Sequence, residues 1–383
     1  MKNENYNERF YLLDISRGFA AICVVLQHYV HFFYNSTEAY YYDQQPFYEY
    51  IAFGYRFGSV AVPFFFILSG FIFFTFYKKK ISEKNITFKD FIILRISRLY
   101  PLHILTLFMM LILQKIYYMS ISDYFVYKNI SLENFILHIF LIQEWGTGSI
   151  FNFNDGWGFN GPSWSISVEF FAYISFFIVA LFFVKNFFES IIFLIFLLIM
   201  YTIIQPSLGN MSLGVVLFYL GGATYYLTNI IKKYLLLSRL LLITVILALD
   251  ILIFGRFLNS FFLEFQNSVA HLIGDRFMIL LYLVKFPLLI INLNIIQFYF
   301  NKLGKPFGLV GDLSYTIYLI HFPLQVVIII INNTFFKFQF YSELFFIMYF
   351  LFIFLTSFLL FKFFELPFKK LIRKKLITKK TIK

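Results

Sequence analysis

Arg17 and His28 stand eleven positions apart inside an apolar run, "LDISRGFAAICVVLQHYVHFFY" at residues 13–34. On a helix that separation is three turns plus about 20°, so both side chains share one face, about 16 Å apart along the axis. Asp14, three residues before Arg17, falls on the same face. An imidazole can take a proton from a hydroxyl near neutral pH, and a guanidinium can hold an anion. The structural alternative is an ion pair that joins helices. "GPSWSISVEFFAY" (161–173) sets Ser165, Glu169 and Tyr173 four residues apart, again on one helical face. "LSYTIYLIHFPLQ" (313–325) places Ser314, Tyr318, His321 and Gln325 at i, i+4, i+7 and i+11, also one helical face. A carboxylate beside a histidine of a neighbouring helix is equipped for proton transfer; a helix-packing hydrogen bond is the plainer reading. "RISRLYPLH" (95–103) pairs Arg95 with Arg98, two guanidiniums suited to bidentate phosphate binding or to anchoring at a membrane surface. "PFFFILSGF" (63–71) places Ser69 and a glycine in mid-run, compatible with close helix approach or a kink.

These polar residues need elements to hold them, and composition says which. Of 383 residues 60% are apolar and 14% charged, and mean hydropathy is +0.77. Such a chain cannot clothe a soluble globule in polar side chains, so it is read as dissolved in a bilayer. A window of about 20 apolar residues finds ten candidate spans: roughly 11–34, 59–77, 99–118, 163–184, 187–205, 211–230, 235–254, 277–299, 311–331 and 341–364. The fold class is therefore all-α and polytopic. "NFILHIFLIQEW" (134–145) is too short to span and reads as re-entrant or interfacial. The net charge of +12 gathers at 77–80, 95–98 and 368–380, against apolar runs. That is the positive-inside pattern rather than a nucleic-acid surface, and it places both termini in the cytoplasm, with 78–98 a cytoplasmic connector. Residues 1–367 form one transmembrane domain and 368–383 a basic cytoplasmic tail. The N-terminus lacks signal-peptide character, so the first span is expected to stay attached.

Ionisable groups within spans cost several kcal/mol and point to function. The single cysteine, Cys23, allows no disulfide within the chain. HExxH, CxxC, P-loop, GxGxxG and GxSxG patterns are all absent, so no metal is expected and a serine-hydrolase elbow is disfavoured.

Taken in order, "LDISRGFAAICVVLQH", "PFFFILSGF", "RISRLYP", "GPSWSISVEFFAY" and "SYTIYLIHFPL" resemble the acyltransferase-3 family of integral-membrane O-acyltransferases, from about residue 10 to about 367. The resemblance implies transfer of an acyl group, usually acetyl, from acyl-coenzyme A to a hydroxyl, commonly on a glycan. It matches the family's basic residue and histidine to Arg17 and His28, its arginine pair to Arg95 and Arg98, and its tryptophan–serine–glutamate stretch to Trp164, Ser165 and Glu169. Many relatives carry a fused hydrolase-like domain; the single-domain form is expected here.

On that reading His28 is the general base, with Glu169 or Asp14 fixing its tautomer. Direct attack and an acyl-histidine intermediate both stay open. Acetyl-coenzyme A is the co-substrate, its phosphates held by Arg95, Arg98 and Arg17 at a cytoplasmic mouth, with Ser69 also on the donor side. The acceptor approaches from outside, against Trp164, Tyr173, Tyr318, His321 and the loop residues Trp157 and Asn154, where indoles can stack on sugar rings. Partners are the acyl donor, a glycan or other hydroxyl acceptor and membrane lipids, with no nucleic acid. The expected location is a bacterial-type cytoplasmic membrane. A transporter or flippase is the alternative, weakened by the lack of matched halves.

Overall fold

A computed structural model describes residues 9–35, 42–146, 158–234, 278 and 281–377, and the regular structure there is helical throughout. The helices are α1 (Tyr11–His28), α2 (Tyr48–Phe57), α3 (Ala61–Phe76), α4 (Lys78–Ser82), α5 (Phe88–Ile121), α6 (Leu132–Phe140), α7 (Trp164–Phe182), α8 (Phe187–Tyr234), α9 (Phe286–Tyr299), α10 (Gly308–Thr334), α11 (Glu343–Leu360) and α12 (Leu366–Leu376). Among the described residues seven helical segments are long and apolar enough to cross a membrane. The chain is an all-helical polytopic membrane protein.

Three of the ten expected windows account for the difference in number. The first is filled by α1, whose Asp14, Arg17, Gln27 and His28 lower its hydropathy. Window 187–205 holds a shorter apolar helix, Phe187–Ile203, separated from the rest of α8 by a break at Gly209 (φ 42°, ψ −120°). Window 235–254 lies outside the described residues. The 134–145 segment contains the nine-residue α6, too short to span, whose buried side carries Asn134 and His138.

Two helix pairs organise the interior. α1 lies along α10, and α3 lies along the second half of α8. Both contacts depend on missing side chains. A Cβ on Gly18 would meet the Val310 carbonyl oxygen at 2.6 Å, and one on Gly311 would meet the Asp14 carbonyl oxygen at 2.5 Å. In the second pair, a Cβ on Gly70 would collide with the Phe218 carbonyl and one on Gly221 with that of Ile67. Small residues let helix backbones approach closely where lipid supplies no hydrophobic drive. The mid-run Ser69–Gly70 therefore marks close approach; Pro63 sits in the first turn of α3, where its missing N–H costs nothing.

The expected connector at 78–98 is largely helix. Thr87 caps α5, its Oγ1 accepting from the Asp90 amide at 3.1 Å, so residues 88–98 are the first three turns of a 34-residue helix. At about 51 Å this helix is longer than a hydrocarbon core of about 30 Å. After α11 the chain passes through one π-turn, Phe361–Glu365, straight into α12, which packs back on α5. Arg373 secures that contact by donating to Ser97 Oγ (3.0 Å) and the Leu94 carbonyl (3.4 Å).

Candidate active site

The polar stripe of α1 faces the polar stripe of α10 from end to end. At one end Arg17 donates from Nε to Ser314 Oγ and from Nη2 to the Gly311 carbonyl, both at 2.9 Å. Its Nη2 lies 3.3 Å from Asp14 Oδ1. Arg9 extends the network, reaching Asp14 Oδ2 at 2.6 Å and Asp312 Oδ1 at 2.8 Å. At the other end His28 Nδ1 lies 3.0 Å from the Val24 carbonyl and 3.2 Å from His321 Nε2. His321 Nδ1 lies 3.1 Å from the Ile317 carbonyl, and Gln325 Nε2 donates to the His28 carbonyl at 2.8 Å.

Partner chemistry assigns the tautomers. Carbonyl oxygens only accept, so Nδ1 of each neutral imidazole carries the proton. His321 Nε2 is then a lone pair that accepts from His28 Nδ1–H. His28 Nε2 keeps its own lone pair and has no hydrogen-bond partner among the described residues. The expectation that Asp14 or Glu169 sets this tautomer is corrected. Asp14 is fourteen residues away, about 21 Å along the helix, and is engaged by Arg9 and Arg17. Glu169 accepts from Ser69 Oγ at 3.0 Å and from the Tyr173 hydroxyl. His321, expected among acceptor contacts, is the group that orients His28.

Two cavities enter this interior. An inner one of about 80 Å³ is lined by Arg17, Arg98, Ser69, Glu169, Ser165 and Tyr318, among others. An outer one of about 510 Å³ spreads over Arg9, Asp14, Asp312, Glu365 and Lys369. Arg17, Arg98, Ile72 and Tyr315 line both, so the two meet at an arginine pair drawn from α1 and α5. His28 lines neither. The expected passage from Arg17 toward His28 runs as far as Tyr318, whose hydroxyl donates to the Pro162 carbonyl and sits 2.8 Å from Ser165 Oγ. The Tyr318 ring lies 6.3 Å from that of His321, which in turn is 5.1 Å from that of His28. One layer of side chains thus separates the inner cavity from the imidazole pair.

Arg98 faces the cavities; Arg95 does not. Their three-residue spacing predicted a common direction, but Arg95 is buried in an aromatic cage. Its guanidinium carbon lies 4.6–5.9 Å from the ring centroids of Tyr77, Phe73, Tyr173 and Phe91, and it donates to the Tyr77 hydroxyl at 2.5 Å. Three residues fall about 60° short of a full turn, which is enough to send one side chain into the bundle and the other toward the opening.

The remaining expectations divide. Tyr173 is fully buried and bonded to Glu169. Trp164 opens α7, with its ring 6.2 Å from that of Phe66. Trp145 donates from Nε1 to the Ser167 carbonyl at 3.0 Å, so it is fastened to α7. Trp157 and Asn154 lie outside the described residues. Several polar residues of this region had not been singled out: Arg9, Asp312, Glu365 and Lys369. Glu365, a lone carboxylate at the end of the last apolar run, carried the same signal as Glu169; its Oε2 accepts from Thr316 at 2.8 Å. Asp312 stands two positions before Ser314 in the α10 stripe.

A segment of 103 residues is 38% identical to "Protein 2 in picA locus" of Rhizobium radiobacter; it covers 27% of this chain and 44% of that protein. The chain thus spans less than half the length of that relative. No solved structure matches. The acyltransferase-3 family model, described as an acyltransferase domain, covers residues 10–366. A match over nearly the whole chain favours acyl transfer over transport, and the chain belongs to the acyltransferase-3 family of membrane acyltransferases.

Proposed function

We propose that the protein moves an acyl group, most simply acetyl, from acyl-coenzyme A to a hydroxyl of an envelope or extracellular glycan, with donor and acceptor approaching from opposite membrane faces. The observation that carries this reading is the unengaged Nε2 of His28, held in the basic tautomer by Val24 and His321. A hydroxyl is a poor nucleophile at neutral pH, and general-base catalysis by an imidazole is worth roughly 10²–10⁴-fold.

The donor's thioester supplies an activated acyl carbon. Arg98 and Arg17 flank the junction of the two cavities, and Arg98 makes no hydrogen bond or ion pair among the described residues. That is the environment a phosphate-bearing donor requires. Ser69 and Glu169 line the inner cavity and orient what enters it. Once the Tyr318 layer between the inner cavity and the imidazole pair moves aside, His28 Nε2 accepts the acceptor's hydroxyl proton as the new ester bond forms, and returns it to the departing sulfur as the thioester bond breaks. His321 steadies the imidazolium, because its Nε2 lone pair accepts from His28 Nδ1–H in both protonation states.

Purified protein in nanodiscs should release free thiol from acetyl-coenzyme A when supplied with a glycan acceptor. His28→Ala should reduce turnover at least about 10²-fold, and His321→Ala should lower kcat with little effect on donor KM. Mass spectrometry of envelope glycans from wild-type and deletion strains identifies the acceptor. Undiminished release by His28→Ala would remove the base from the scheme.

A further inference from the structure

The outer cavity is lined by four cationic and three acidic side chains, and their pairing is uneven. Arg9 is satisfied by Asp14 and Asp312, and Arg17 by Asp14, Ser314 and the Gly311 carbonyl. Two cations remain. Arg98 on α5 and Lys369 on α12 make no ion pair or side-chain hydrogen bond among the described residues, although both are partly buried. They lie close enough to repel each other. Glu365, on the same wall, attracts both, yet it forms no ion pair with either and its Oε2 is occupied by Thr316.

Two like charges aimed from different helices into one cavity are unfavourable unless something anionic sits between them. Lys370, the neighbour of Lys369, is exposed, as a solvated basic tail requires. The helix itself is held where it is by Arg373 on α5, so Lys369 is positioned rather than trailing.

We propose that Lys369 and Arg98 form a phosphate clamp, so that the C-terminal basic helix is a wall of the donor site and not only a membrane anchor. Lys369 takes the place the sequence spacing suggested for Arg95. The ligand is a phosphate or diphosphate group; on the reading above it belongs to coenzyme A, and this inference rests on that reading for the ligand's identity. An anionic lipid headgroup presents the same chemistry.

The test is direct binding of coenzyme A, by calorimetry, to the full-length protein in phosphatidylcholine nanodiscs. The variants are Lys369→Ala, Lys369→Gln, Lys369→Arg, Lys370→Ala and Arg98→Ala. Loss of one charge-assisted contact predicts at least about tenfold weaker binding for Lys369→Ala, Lys369→Gln and Arg98→Ala. Lys369→Arg should stay near wild type, and Lys370→Ala should match it. Added salt should weaken binding by wild type more steeply than by Lys369→Ala. Unchanged affinity in both neutral Lys369 variants, with Arg98→Ala weakened, would overturn the clamp and leave the donor reading standing. Unchanged affinity in all of them would remove the donor site itself. Displacement of coenzyme A by phosphatidylglycerol at low mole fraction would reassign the clamp to lipid and overturn it as a donor wall.

Discussion

Arg95 and Arg98 show how much one residue's direction decides. The same side chain on the same helix is a packing element at one position and a cavity-facing cation three residues later. Arg95 donates to Tyr77 and is surrounded by four aromatic rings. Removing it leaves a hole and an unpaired hydroxyl within the bundle. Arg95→Ala should therefore lower stability by about 2–4 kcal/mol, read as a fall in the melting temperature of the detergent-solubilised protein, whereas Arg98→Ala should leave the melting temperature within a degree or two. Equal thermal losses for both would contradict the division of labour. At the same scale, the two histidines illustrate a chemical economy. Each imidazole uses Nδ1 on a carbonyl one turn back in its own helix, which leaves a lone pair on Nε2: that of His321 accepts from His28, and that of His28 stays unengaged among the described residues.

At the scale of elements, the site is made by helix pairs that approach closely enough for backbone to meet backbone. Gly18 and Gly311 bring α1 onto α10 at the level of Asp14 and Arg17. Gly70 and Gly221 bring α3 onto α8, and this sets Ser69 against Glu169 of α7. Gly70→Leu should force α3 away from the Phe218 carbonyl. The expected cost is about 1–3 kcal/mol or more, together with loss of activity out of proportion to the residual folded fraction, because Ser69 moves with the helix. The comparison is activity per folded molecule, by fluorescence-detected size exclusion, against a lipid-facing control such as Ile112→Ala. A variant that keeps full specific activity would show that the Ser69–Glu169 contact is dispensable.

For the whole molecule, the charged residues sort by end. Arg9, Arg98, Lys369 and the rest of α12 gather at the end of the bundle where α1 and α10 begin, while His28, Gln325 and the 3₁₀ turn Tyr29–Phe32 lie at the other. We propose, from the positive-inside tendency, that the first end faces the cytoplasm. Cysteine accessibility mapping in intact cells, on Cys23→Ala protein, should find Lys79→Cys and Lys370→Cys protected from a membrane-impermeant thiol reagent and Lys128→Cys labelled. The reverse pattern would invert the molecule and place the basic cavity on the wrong side for a cytosolic donor.

Several features were legible in the residues alone. An all-helical membrane protein follows from 60% apolar composition gathered in continuous runs of about 20 residues, since such runs span lipid as helices whereas barrel strands alternate apolar and polar residues. The shared faces of Asp14–Arg17, Ser165–Glu169–Tyr173 and Ser314–Tyr318–His321–Gln325 follow from 100° per residue, and each face proved to carry contacts with a neighbouring helix. Periodicity along one helix, however, says nothing about which stripe meets which. Only tertiary packing paired α1 with α10, gave His28 a histidine rather than a carboxylate as partner, turned Arg95 into a cage and folded α12 back to bring Lys369 beside Arg98. Most of those are contacts between residues tens to hundreds of positions apart; glycine-mediated backbone contact sets α1 against α10 and Arg373 docks α12 on α5, and no local spacing encodes either.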